Sequence, residues 1–98
     1  MSRTIWKYPV MHLMRARVNL AVEMPKGAEI LTLQVDQKDG MPCIWAVVDP
    51  DAEKEYRTFL HVGTGQEVPW DTSGLAGLSY VGTWQMKDFV FHTFEVVS

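Results

Sequence analysis

Apolar and polar residues alternate with a period of two along most of this chain. Short clusters rich in Gly, Pro, Asp and Lys cut the alternation at regular intervals. The clearest stretch is 18–24. Val18, Leu20, Val22 and Met24 point one way and Asn19, Ala21 and Glu23 the other, the mark of a half-buried strand. Met24-Pro25-Lys26-Gly27 then turns the chain, with Pro fixing φ and Gly open to positive φ. The next predicted strand, 28–36, sends Leu31, Leu33 and Val35 inward and Thr32 and Gln34 outward. Gln37-Lys38-Asp39-Gly40 is a hairpin signal, because Asp-Gly suits a primed turn.

Residues 42–49 break the alternation. Cys43, Trp45 and Val47 make one face apolar, and Ile44, Ala46 and Val48 make the other apolar too. This pattern predicts a central strand covered on both faces, by its own chain or by a second subunit. After Asp49-Pro50-Asp51, residues 56–62 form a further strand. Tyr56, Thr58, Leu60 and Val62 share one face, and Arg57, Phe59 and His61 share the other. Gly63-Thr64-Gly65 ends it, and 66–77 is the longest loop. Strands at 78–86 and 89–97, joined by a tight Lys87-Asp88 turn, close the chain. On the first of these Tyr80, Trp84 and Met86 share a face, with Gly82 leaving room between them. Upstream, 5–8 reads as a first strand ended by Pro9, and 11–17 is open between a helical turn and a connecting loop. The expected fold is mainly β: a compact antiparallel sheet, small barrel or sandwich of six to seven strands, with at most one short helix, in one domain over 1–98.

Composition narrows the function classes. One cysteine, Cys43, cannot make an intramolecular disulfide, and no Cys cluster suggests zinc. The N-terminus lacks the apolar run of a signal peptide, and no segment reaches the roughly 18 apolar residues of a membrane span. A reducing, cytoplasmic setting without membrane contact is the expectation. The net charge of −3 argues against nucleic acid, but the charge is uneven. Arg3, Lys7, Arg15 and Arg17 precede every acidic residue; the other five bases face all twelve acids. The two ends therefore pair electrostatically, or the Arg15/Arg17 segment serves as a contact arm.

No catalytic, metal or cofactor motif stands out. His12, His61 and His92 have no metal-ligand spacing, and Cys43 on a doubly apolar strand reads as an inert hydrophobe. Asp49, Asp51 and Glu53 around a Pro turn read as a solvated corner, and Ser73 and Ser79 lack a nucleophile elbow. The Gly63-Thr64-Gly65 turn lacks the pattern of a phosphate loop, but its backbone N–H groups could form an anion nest, with Arg57 supplying charge if it lies near. Arg57, His61, Gly63, Thr64 and Gly65 are thus the candidate ligand-binding residues. Arg15, Arg17, Trp70 and Trp84 are the candidate partner-binding ones. Trp70 lies in a polar, Gly-containing loop where an indole either folds back onto the core or anchors a partner. For an enzyme, His61, His92, Arg57 and Asp88 would be the first suspects.

Several blocks together carry a family resemblance: Ile5-Trp6-Lys7-Tyr8-Pro9, Met24-Pro25-Lys26-Gly27-Ala28-Glu29-Ile30-Leu31, Pro42-Cys43-Ile44-Trp45-Ala46-Val47-Val48-Asp49-Pro50, Arg57-Thr58-Phe59-Leu60-His61-Val62-Gly63-Thr64-Gly65, Tyr80-Val81-Gly82-Thr83-Trp84-Gln85 and Phe89-Val90-Phe91-His92-Thr93-Phe94-Glu95. The string resembles a family of small proteins encoded by bacteriophages and prophages, over nearly the whole chain. The resemblance brings no catalytic residues with it. It implies a phage-type origin and a cytoplasmic life in an infected or lysogenic bacterium, and its blocks include Arg57, His61 and the 63–65 turn as exposed positions. The expected function is a non-enzymatic accessory protein, such as a counter-defence factor, that binds a host protein or a small anionic ligand. It needs no cofactor and forms a homo-oligomer. A virion structural or assembly protein is the alternative, and a small enzyme the third.

Overall fold

The computed structural model describes residues 2–10, 19–68 and 77–97. Seven strands follow one another: β1 (Thr4–Pro9), β2 (Asn19–Pro25), β3 (Glu29–Asp36), β4 (Met41–Val48), β5 (Lys54–Gly63), β6 (Leu78–Met86) and β7 (Phe89–Val96). They form a three-stranded sheet in the order β1-β4-β3 and a four-stranded sheet in the order β2-β5-β7-β6. All pairings are antiparallel. The expected antiparallel all-β fold is therefore present as a sandwich, and no helix occurs among the described residues. The segment 11–17, with His12, Arg15 and Arg17, and the loop residues Trp70 and Ser73 lie outside the described residues.

Period-two alternation builds the main core between the sheets. β4 contributes Ile44, Ala46 and Val48, β3 contributes Leu33, β2 contributes Met24, and β5 and β6 contribute Phe59 and Trp84. The sheets come closest where β6 crosses β3. A Cβ built on Gly82 would lie 3.2 Å from both the Cβ and the carbonyl oxygen of Leu33. Glycine at this position lets the two backbones approach.

Two facings and the cover of one strand differ from the pattern read off the sequence. A bulge between Ile30 and Thr32 shifts the β3 register against β4. Two residues then oppose one and the alternation flips. Ile30 packs on the core, while Leu31 is 52% exposed. A second bulge, between Tyr80 and Gly82, separates Tyr80 from Trp84. Trp84 is buried in the core, whereas Tyr80 lies opposite Phe94 on the outer face. Third, β4 is the central strand of its sheet, but its outward Trp45 and Val47 are only half-buried. The strand buried on both faces is β5. Its Phe59 and His61 point between the sheets; its Leu60 and Val62 join Phe94 in a second cluster on the outer face, backed by Val68, Leu78 and Val96.

The inward-facing Tyr8 has a hydroxyl that is buried with no hydrogen-bond partner among the described residues, and burial pushes its pKa up. A buried hydroxyl without a partner carries an uncompensated desolvation cost. Tyr8→Phe is expected to raise the unfolding free energy by about 1 kcal/mol. Urea denaturation would check this, and a loss of stability would show that the hydroxyl is satisfied in solution.

Candidate functional site

The sandwich places two polar constellations and a groove along β7. The first constellation is internal. Thr93 on β7 faces His61 on β5, its register partner, and Trp84 on β6 approaches from the next strand. Thr93 Oγ1 lies 2.7 Å from His61 Nδ1 and accepts a hydrogen bond from Trp84 Nε1 at 2.9 Å. His61 Nε2 lies 3.3 Å from the carbonyl oxygen of Val10. A carbonyl only accepts, so Nε2 carries the proton. In the neutral ring Nδ1 is then the acceptor, and Thr93 donates its hydroxyl proton there. His61 is 3% exposed and Thr93 fully buried. The expectation of an exposed His61 is thus corrected: the histidine closes the interior, where its ring meets the Trp84 indole edge-on at 5.5 Å.

The second constellation is at the surface, on the opposite face of β7. His92 Nε2 lies 2.6 Å from Thr64 Oγ1, and His92 Nδ1 lies 3.0 Å from Thr83 Oγ1, which in turn meets the Tyr80 hydroxyl. His61 and His92 occupy neighbouring strands, but β5 pairs His61 with Thr93 and Val62 with His92. They therefore face opposite ways and form no dyad.

Next to Thr64 opens a groove of ≈ 610 Å³, lined by Gly63, Thr64, Gln66, Asp88, Phe89, Val90 and Phe91. Its apolar side continues an aromatic row. Phe91 stacks on Trp84 with ring centroids 4.7 Å apart, and Phe89 lies 6.3 Å beyond Phe91. Phe89 itself is 64% exposed. Gly63 and Thr64 from the sequence reading reach this groove, and Gly65 lies in the same turn with φ +89°. Phe89, Phe91, Gln66 and Asp88 were not singled out as binding residues. The available signal was a Phe placed directly after the polar Lys87-Asp88 turn, where an apolar side chain has little reason to be.

Arg57 is elsewhere. It lies six residues from Gly63 on one extended strand, about 20 Å away. Its Nε and Nη2 donate to the two oxygens of Glu95 at 2.6 and 2.8 Å, and Nη1 donates to the Ala28 carbonyl. The Glu95 hydrogen bonds, in a largely buried setting, raise the Arg57 pKa further. This fork-to-fork pair fixes the guanidinium inside the protein. Two amides of the 63–65 turn are also engaged: Gly63 N donates to Gln66 Oε1 at 2.8 Å and Thr64 N to the Val90 carbonyl at 2.9 Å. The arrangement suits holding an apolar group better than cradling an anion. Cys43 is buried, and burial pushes its thiol pKa up. Among the described residues no three His, Cys, Asp or Glu side chains converge as metal ligands would.

Thr93→Val removes the shared hydroxyl and leaves two buried ring nitrogens without it. The expected loss is about 2 kcal/mol of unfolding free energy. Thr93→Ser keeps the hydroxyl and is expected to lose less than half as much, the cost of about one methyl group. Equal losses in urea titrations of the two variants would contradict the hydrogen-bonded node.

No curated protein and no solved structure matches the chain at a significant level. A family model described as a domain of unknown function, DUF7352, matches residues 1–98, and the chain belongs to that family.

Proposed function

We propose that this protein is a non-enzymatic binding module that engages a host protein by receiving one of its apolar side chains in the groove between the 63–66 turn and the start of β7. The observation that carries this reading is Phe89, 64% exposed at the mouth of a groove whose other apolar wall, Phe91, is fixed by stacking on Trp84. Exposed aromatics on rigid strands supply contact area at low entropic cost. Thr64, Gln66 and Asp88 supply a polar rim. The block resemblance supports a phage-type accessory role, of the counter-defence kind, in the cytoplasm of an infected or lysogenic bacterium. A small anionic ligand has less support: Arg57 is held by Glu95, turn amides are engaged within the chain, and the groove carries a carboxylate.

The test is a titration of the isotope-labelled protein with acetylated, amidated tripeptides carrying Trp, Phe, Leu or Ala at the centre. Amide shifts confined to 63–66 and 88–91 are expected for the first three peptides and not for Ala. Phe89→Ser should abolish them while changing stability by no more than about 0.5 kcal/mol, as for other exposed positions. Parallel titrations with inorganic phosphate and ATP are expected to leave these amides unmoved. Peptide shifts that persist in Phe89→Ser would remove the groove reading, and shifts with ATP at 63–65 would restore the anionic ligand.

A further inference from the structure

The outer face of the β1-β4-β3 sheet has a composition that the groove does not explain. β4 turns Cys43, Trp45 and Val47 toward it. Beside Val47, on the edge strand β1, Ile5 is 56% exposed. Two ion pairs frame this apolar strip. Lys7 Nζ meets Asp36 Oδ2 at 2.7 Å toward one end, and Arg3 Nη2 meets Glu29 Oε1 at 3.6 Å toward the other. Both bases belong to the β1 edge and both acids to β3, so each pair passes across β4. The bases are therefore rooted along one edge and the acids along the other, their charged ends meet across β4 at two places, and the strip between those places is apolar.

That layout is self-complementary under one symmetry operation. A twofold axis parallel to β4, lying between two facing copies, places β1 of one copy over β3 of its partner at the same height. Arg3 and Lys7 of each copy then stand against the acidic edge of the other, and the two strips with Trp45 and Val47 meet along the axis. We propose that this face is the interface of a homodimer, two copies stacked sheet to sheet about an axis parallel to β4. An isologous contact of this kind presents the same patch from both sides. Strand directions of facing sheets that stay nearly aligned agree with the ordinary packing of β-sandwiches. The ion pairs made within each copy become a four-charge cluster at each end, shielded from water by the contact. The groove at 63–66 and 88–91 belongs to the other sheet and its turns, so the dimer leaves it free.

Sedimentation-velocity series on the full chain test this directly. The wild type is expected to dimerise, and Ile5→Glu, at an exposed position, to weaken the dimer about tenfold or more while the monomer keeps its native far-UV circular dichroism. A charge-reversal pair tests the axis. One variant carries Arg3→Glu and Lys7→Glu, the other Glu29→Lys and Asp36→Lys. Each alone opposes like charges across the twofold and should be monomeric. Mixed one to one they should form a heterodimer, because every reversed edge then meets a complementary one. Adding Ile5→Glu to both should abolish the mixture's dimer. A monomeric wild type, a dimer indifferent to Ile5→Glu, or a mixture that fails to associate would each overturn the proposal. Peptide binding at the groove is read separately, so neither result depends on the other.

Discussion

The hydroxyl of Thr93 is the point on which the rest of the structure depends. It is fully buried and serves two ring nitrogens at once, taking the Trp84 N–H and giving its own proton to His61. His61 passes the connection on to the Val10 carbonyl, where the chain leaves β1. β5, β6 and β7 are joined through one oxygen atom, and the end of β1 through the His61 ring. The polar groups of the node satisfy one another, and leaving one of them unpaired in a buried network of that kind is costly. It also sets the position of the Trp84 indole. Phe91 stacks on that indole and Phe89 follows Phe91, so the wall of the surface groove is an extension of an interior hydrogen bond.

The sandwich closes around this node by unequal means. Between the sheets the core is apolar and continuous, and Gly82 lets β6 lie directly against Leu33 of β3. At the Arg57 end the interior is charged, with Arg57 locked to Glu95 and to the Ala28 carbonyl. Breaking one member of such a pair strands the other in a poorly solvated place. Outside the four-stranded sheet, Leu60, Val62 and Phe94 form a second, smaller core. β5 crosses all of these environments, with Arg57, Phe59 and His61 facing inward and Leu60 and Val62 buried in the outer cluster.

The strands were legible in the sequence because period-two patterning and turn residues are local signals. The hairpin at 37–40 and the two-residue turn at 87–88 lie where Asp-Gly and Lys-Asp were read. What the pattern could not show is what interrupts it. The bulges near Leu31 and Val81 each insert one residue, and every facing on the far side reverses. Leu31 reads as inward, and Tyr80 as sharing a face with Trp84, for that reason. Arg57 and the 63–65 turn read as one anion site only if the two lie near each other. A strand, however, separates residues six apart by its whole length. The Thr93 node joins three strands through side chains that carry no spacing signal, and Thr93 gave no reason to be noticed. The groove was half-visible, through Gly63 and Thr64, and its aromatic half was not.

The protonation of His61 is the most direct measurement of this arrangement. A long-range proton–nitrogen correlation spectrum of the labelled protein at neutral pH reports which ring nitrogen carries hydrogen. Protonation at Nε2 with a bare, hydrogen-bonded Nδ1 is the predicted result, because the Val10 carbonyl requires a donor at Nε2 and the neutral ring then offers Nδ1 to the Thr93 hydroxyl proton. A proton on Nδ1, whether in the other neutral tautomer or in the doubly protonated ring, would contradict the node and with it the account of how the groove wall is held.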